Sequence, residues 1–105
     1  MPDPMYFFCR LIPLRLDFMQ TMTPEERAIM QRHGAYWVSK VATGNALAFG
    51  PVADPSGGYG IGIMQAAGWD EMHALRDADP AIQSGSGFRY EIFQMPRIVT
   101  PNISI

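Results

Sequence analysis

The chain has 105 residues, 48% hydrophobic and 17% charged, with a formal net charge of -2, which excludes a disordered composition and fits one domain with a single core. Its eight basic residues are scattered, which argues against the basic face of a nucleic-acid surface, and no apolar run approaches the roughly 18 residues of a membrane span. The single cysteine, Cys9, excludes an internal disulfide. With a Met-Pro-Asp-Pro start that lacks a basic and apolar leader, it sets the expectation of a soluble cytoplasmic protein.

In chain order, Met5 to Leu11 is aromatic-rich and bounded by Pro4 and Pro13, and reads as a first strand. Alternation puts Phe7, Cys9 and Leu11 on a face covered by helices, where Cys9 is a small core residue, and Tyr6, Phe8 and Arg10 on the other. Leu14 to Thr21 is a connection. Thr23-Pro24-Glu25-Glu26 then carries the signals of a helix start: threonine at the N-cap, proline at the first helical position and Glu26 completing a capping box. The helix runs to about Thr43 and stops at Gly44-Asn45. At about 100° per residue, Met30, Gly34, Trp37, Val38 and Val41 form the expected core stripe, with Ile29, His33, Tyr36 and Lys40 beside it, so that His33 sits at the rim.

Ala46 to Phe49 is a second strand. It joins Tyr59 to Met64, a third, through a turn punctuated by Pro51, Pro55 and Gly57-Gly58, whose glycines suit positive φ angles. Gly60 and Gly62 share one face of that third strand with Met64, while Tyr59, Ile61 and Ile63 share the other. Glycine weakens a strand, so the two need a reason: a bulge, a close neighbouring backbone, or room for a ligand. The expectation is that Arg10 shares their face and that this low face borders a cleft or a dimer interface. Gly68-Trp69-Asp70-Glu71 opens a second helix, capped by Asp70 or a neighbour, which ends near Asp79-Pro80. Pro80 to Ser84 adds a helical turn, and Phe88 to Met95 is the last strand, with Phe88, Tyr90 and Ile92 on one face. The tail from Pro96 to Ile105 is apolar enough to pack, and Asn102-Ile103-Ser104 matches a glycosylation sequon that carries no weight without a secretory signal.

The order β-α-β-β-α-β predicts an α+β, ferredoxin-like sandwich: one domain over residues 1–105, with both helices on one side of an antiparallel sheet. The bare side of such a sheet needs cover, and a second copy of the chain provides it.

No zinc spacing, Walker pattern, dinucleotide fingerprint or nucleophile elbow is present, so neither metal nor cofactor is expected. The glycine-rich run around Gly58 leads into a strand rather than a helix N-terminus, which argues against a phosphate loop. The candidate chemical groups are His33, Asp54, His73 and Asp79. An exposed pairing with Asp77 explains His73, an Asx-turn explains Asp54, and an N-cap explains Asp79.

Met30-Gln31-Arg32-His33-Gly34-Ala35-Tyr36, Gly50-Pro51-Val52-Ala53-Asp54, Gly58-Tyr59-Gly60, Asp79-Pro80 and Phe88-Arg89-Tyr90-Glu91 together resemble the YCII-related (YciI-like) family of the dimeric α+β barrel superfamily. That resemblance spans nearly the whole chain. It implies a ferredoxin-like protomer, a dimer with sheets face to face and a site built from a histidine and an aspartate, matched here by His33 and Asp79. It also brings in a relative similar to a dehydrochlorinase of chloroaromatic breakdown, and lactone isomerases and monooxygenases among other dimeric barrels. An imidazole ordinarily titrates near neutrality, and a carboxylate on its second nitrogen fixes the tautomer. Tyr36, one turn away, is expected to donate to an oxyanion, and Arg10 to attract an anionic substrate, with Asp54, Gly60 and Gly62 contributing to substrate binding. The leading reading is a cofactor-independent lyase or isomerase acting on a small organic acid, lactone or halogenated aromatic. A non-enzymatic dimeric small-molecule-binding or accessory module, and a protein acting only through its dimer surface, stand beside it.

Overall fold

The aromatic-rich run Met-Tyr-Phe-Phe-Cys-Arg-Leu-Ile forms β1 (Met5–Ile12), which pairs with a strand on each side and is a central strand of the sheet. The computed structural model describes residues 3–101. In it β1 is followed by α1 (Phe18–Thr21), α2 (Pro24–Thr43), β2 (Ala46–Val52), β3 (Tyr59–Ala66), α3 (Trp69–Asp77), α4 (Pro80–Gln83) and β4 (Arg89–Met95). The sheet order is β2-β3-β1-β4, and each neighbouring pair is antiparallel. This is the α+β, ferredoxin-like arrangement expected from the element order.

All four helices pack on the face that carries Phe7, Cys9 and Leu11. Phe7 and Cys9 cluster with Trp37 of α2 and with Met72 and Leu75 of α3, and Leu11 clusters with Phe18, Ile29, Ala81 and Phe88. Cys9 is a buried core residue, and burial raises its thiol pKa to about 12. Removing a side chain such as Trp37 or Phe7 from this layer costs about 3–5 kcal/mol.

The capping box at the start of α2 is formed. Thr23 Oγ1 accepts from Glu26 N–H at 3.1 Å, and Glu26 Oε1 accepts from Thr23 N–H at 2.9 Å. Arg15 grips the same carboxylate at 2.8 Å and also Thr21, tying α1 to α2. The ion pair and the Thr23 backbone hold the Glu26 pKa down at about 2. Gly44 ends the helix in the left-handed region at φ 87°.

Two local expectations need correction, and two are filled in. The inward stripe of α2 is turned relative to the predicted one: Trp37 and Ile29 are buried, whereas Val38 and Val41 are 60% and 48% exposed. The polar tips decide this, because His33 and Trp37 both reach Asp79 and Tyr36 reaches Leu75, which centres the face on the His33 side of Trp37. In the hairpin, Gly57 has a positive φ of 140° and Gly58 does not. The second helix is N-capped by Gly68, a near neighbour of Asp70, without a side-chain cap bond. The Leu14–Thr21 connection contains the short helix α1. In the tail, Ile98 is buried and Val99 exposed; residues 102–105, including the sequon at Asn102, lie outside the described residues.

Register also corrects the expected partnership of Arg10. Cys9 pairs with Gly62 and Leu11 with Gly60, whereas Arg10 pairs with Ile61. Directly opposite residues point to the same side, so both glycines lie on the helix side and Arg10 on the bare one. Arg10 there stacks its guanidinium 4.1 Å from the Tyr59 ring centroid. Phe8 pairs with Ile63 and Phe93 on that bare side, and Phe93 is 58% exposed.

Candidate functional site

Proline drives the site's geometry. Pro80 disfavours helical backbone at the residue before it, and Asp79 accordingly sits extended at φ -63°, ψ 127°, between α3 and α4. From there its Oδ1 caps α4 by accepting from Ala81 N–H at 2.8 Å. The N-cap reading of Asp79 is therefore correct, and the same position delivers the carboxylate beneath α2.

Asp79 is the one buried polar or charged residue among the described residues, with 0% exposure. Its oxygens are surrounded by donors. His33 Nδ1 lies 3.0 Å from Oδ1 and 2.9 Å from Oδ2. Trp37 Nε1–H donates to Oδ2 at 2.9 Å, and Tyr90 Oη–H donates to Oδ2 at 2.6 Å. Burial works to raise the Asp79 pKa, but the bonds and charge of His33, with the bonds from Tyr90 and Ala81, outweigh it and hold the pKa below the ordinary value. Burial, followed by the Asp79 charge and hydrogen bond, raises the Tyr90 pKa well above its usual value, which keeps that phenol a donor.

His33 brings this cluster to a cavity. Its Nδ1 is committed to Asp79, and its Nε2 has no hydrogen-bond partner among the described residues. The cavity it lines, of about 300 Å³, lies between α1, α2 and the sheet, with walls that include Phe18, Met19, Met22, Met30, Phe49 and Met64. Gly60 and Gly62 also line it, so their low face borders a cleft within the protomer. Neither is at positive φ. The room they leave is used: the Met64 terminal methyl occupies the space where a Gly62 side chain would project.

The structure thus brings together His33, Asp79, Gly60 and Gly62, and separates them from the other three expected site residues. Tyr36 lies outside the cavity and its hydroxyl donates to Leu75 C=O at 2.7 Å, which leaves no proton for an oxyanion. Arg10 is on the far side of the sheet. Asp54 accepts from Ser56 N–H at 2.8 Å, an Asx-turn, in a separate hollow with Leu16, Asp17 and Gln20. His73 packs against Trp69 rather than the cavity, with ring centroids 5.5 Å apart. Sequence reasoning overlooked Trp37 and Tyr90 as partners of the carboxylate. The available signal was a tyrosine on an apolar strand face, since a buried phenol must find a partner.

Among the described residues no group of three or more His, Cys, Asp or Glu side chains is placed to hold a metal ion, and no helix is long and apolar enough to cross a membrane. No curated protein and no solved structure matches the chain. The YCII-related domain matches residues 6–96, nearly the whole sheet-and-helix unit that carries the His33–Asp79 pair, and the chain belongs to the YCII-related family.

Proposed function

We propose that this protein is a small cofactor-independent enzyme of lyase or isomerase type, with His33 as the general base and acid and Asp79 as its orienting partner. The observation that carries the proposal is the contact of His33 Nδ1 with the buried Asp79 carboxylate at 2.9 Å, in a histidine that also lines a cavity. A carboxylate at Nδ1 selects the neutral tautomer with a lone pair on Nε2. That nitrogen takes a proton from a substrate carbon or hydroxyl. The proton returns to a different atom in an isomerisation, or leaves with the departing group in an elimination. Asp79 stabilises the imidazolium formed in between. Once a reaction has been found by screening lactones and halogenated phenols, His33→Ala is expected to lower its kcat by about 10²–10⁴; an unchanged rate contradicts the proposal.

One observation favours a second reading, a non-enzymatic small-molecule-binding module. Of the lining residues, Trp37 and Tyr90 spend their donors on Asp79, so beside His33 the Tyr59 hydroxyl is the one side-chain donor left to stabilise an oxyanion. Ligand binding without turnover under any condition supports that reading.

We also propose a homodimer with bare sheet faces together. The exposed Phe93 on the bare face supports it, because a second copy covers it. Sedimentation of the protein and of Phe93→Glu tests it: a dimer that the substitution splits is expected, and a wild-type monomer contradicts it.

A further inference from the structure

We infer that the His33 cavity takes an uncharged, ring-shaped and largely apolar molecule bearing one or two polar handles, and that it rejects the corresponding carboxylate. This rests on the cavity being the functional site and narrows what that site accepts.

Three observations carry the inference. The first is charge. No Lys, Arg, Asp or Glu lines the cavity; the charges that touch its wall residues from behind are the fully buried Asp79, bonded to His33, and Arg10, stacked on Tyr59. With a neutral imidazole, the His33–Asp79 pair is net negative. With an imidazolium, it is net neutral. In neither state does the cavity present positive charge, so an entering carboxylate loses its hydration and finds no counter-ion. Arg10, the cation that would have served, is not a lining residue: it lies on the bare side of the sheet, its guanidinium held against the Tyr59 ring.

The second observation is the shortage of polar atoms. Trp37 and Tyr90 both line the cavity, but Trp37 Nε1 and Tyr90 Oη are already bonded to Asp79. Among the side chains of the lining residues, His33 Nε2 and the Tyr59 hydroxyl are left without a hydrogen-bond partner among the described residues. A ligand with many polar groups would leave most of them unsatisfied, whereas one or two hydroxyls can meet Nε2 and the Tyr59 hydroxyl.

Size and surface are the third. An apolar cavity of roughly 150 Å³ holds benzene, so about 300 Å³ accommodates a substituted ring or two fused rings. Four methionines, Met19, Met22, Met30 and Met64, stand around it. Thioethers adapt to irregular shapes and make favourable contacts with aromatic edges, which favours a flat ring over a flexible chain.

The test compares 2-naphthol with 2-naphthoate by calorimetry at pH 7 on the wild-type protein, with His33→Ala and Met19→Arg as variants. Naphthol is expected to bind at least tenfold more tightly than naphthoate. It is expected to stay bound within a few-fold in His33→Ala, because the apolar walls supply most of the affinity. Met19 is 38% exposed, so Met19→Arg places a cation at the wall without burying it and is expected to raise naphthoate affinity at least tenfold. Equal or tighter binding of naphthoate to the wild type, or no binding of either probe at millimolar concentration, overturns the inference. Catalysis is read separately: naphthol preference with an unchanged rate in His33→Ala sinks the acid–base role and leaves the ligand class standing. Naphthoate preference with a lost rate does the reverse.

Discussion

His33 Nδ1 stands 2.9 Å from Oδ2 of Asp79, a carboxylate with no solvent exposure that lies 46 residues further along the chain. Helix α2 supplies one partner and the α3–α4 junction the other, so the contact forms only when both segments pack on the same side of the sheet. Function and packing share this point. The carboxylate that orients the imidazole also caps α4 through Ala81 and binds Trp37 and Tyr90.

Asp79→Asn should therefore be costly for folding as well as for activity. The amide oxygen can serve fewer donors than a carboxylate, and the new NH₂ faces groups that themselves donate. Breaking a buried charged network of this kind typically costs about 3–5 kcal/mol. Tyr90→Phe removes one donor and leaves the rest of the cluster, and should cost about 1–3 kcal/mol. Urea unfolding of both variants measures the order; a smaller loss for Asp79→Asn than for Tyr90→Phe contradicts this account.

Acid stability follows from the same group. The Asp79 pKa in the folded protein is below its ordinary value of 3.8, so its contribution is fully present above the unfolded value and is lost as pH falls through the folded one. Glu26, lowered from 4.5 to about 2, acts in the same direction. The stability difference between wild type and Asp79→Asn is expected to shrink as pH falls below about 4. Denaturant titrations across that range test this, and a difference that widens on acidification contradicts it.

Much of this architecture was legible in the sequence because local rules and tertiary packing agree. Thr23, Pro24 and Glu26 announce the start of α2, and the alternation of β1 identifies Phe7, Cys9 and Leu11 as the core face. The rotation of α2 was not legible, because valines at 38 and 41 are as apolar as a core stripe requires. Only the polar reach of His33, Trp37 and Tyr36 toward α3 and α4 turns them outward. The side of Gly60 and Gly62 was misjudged relative to Arg10 for a related reason: alternation assigns faces within one strand, and only register joins those of two strands. Trp37 and Tyr90 escaped notice as site residues because each looks like ordinary apolar filling until the buried carboxylate is placed between them.

Correct placement of the glycines sharpens a further expectation. A Cβ on Gly60 would meet Leu11 at 3.6 Å, an ordinary contact, whereas one on Gly62 would collide with the flexible end of Met64. Gly60→Ala should therefore be nearly silent. Gly62→Leu should displace Met64 into the cavity, weaken 2-naphthol binding at least tenfold and cost about 1–3 kcal/mol in stability, the usual range for overpacking. Calorimetry and thermal unfolding of the two variants check this pair; equal effects on binding contradict the assignment of Gly62 to the cavity floor.

The central claim is that Asp79 holds His33 so that Nε2 is the free acceptor in the cavity. Nitrogen-15 NMR of the histidine side chains above the titration range tests it most directly. The account predicts that neutral His33 carries its proton on Nδ1, and that added 2-naphthol moves the Nε2 resonance while Nδ1 remains bonded to Asp79. Neutral His33 protonated on Nε2, or an Nε2 resonance unmoved by bound naphthol, contradicts it.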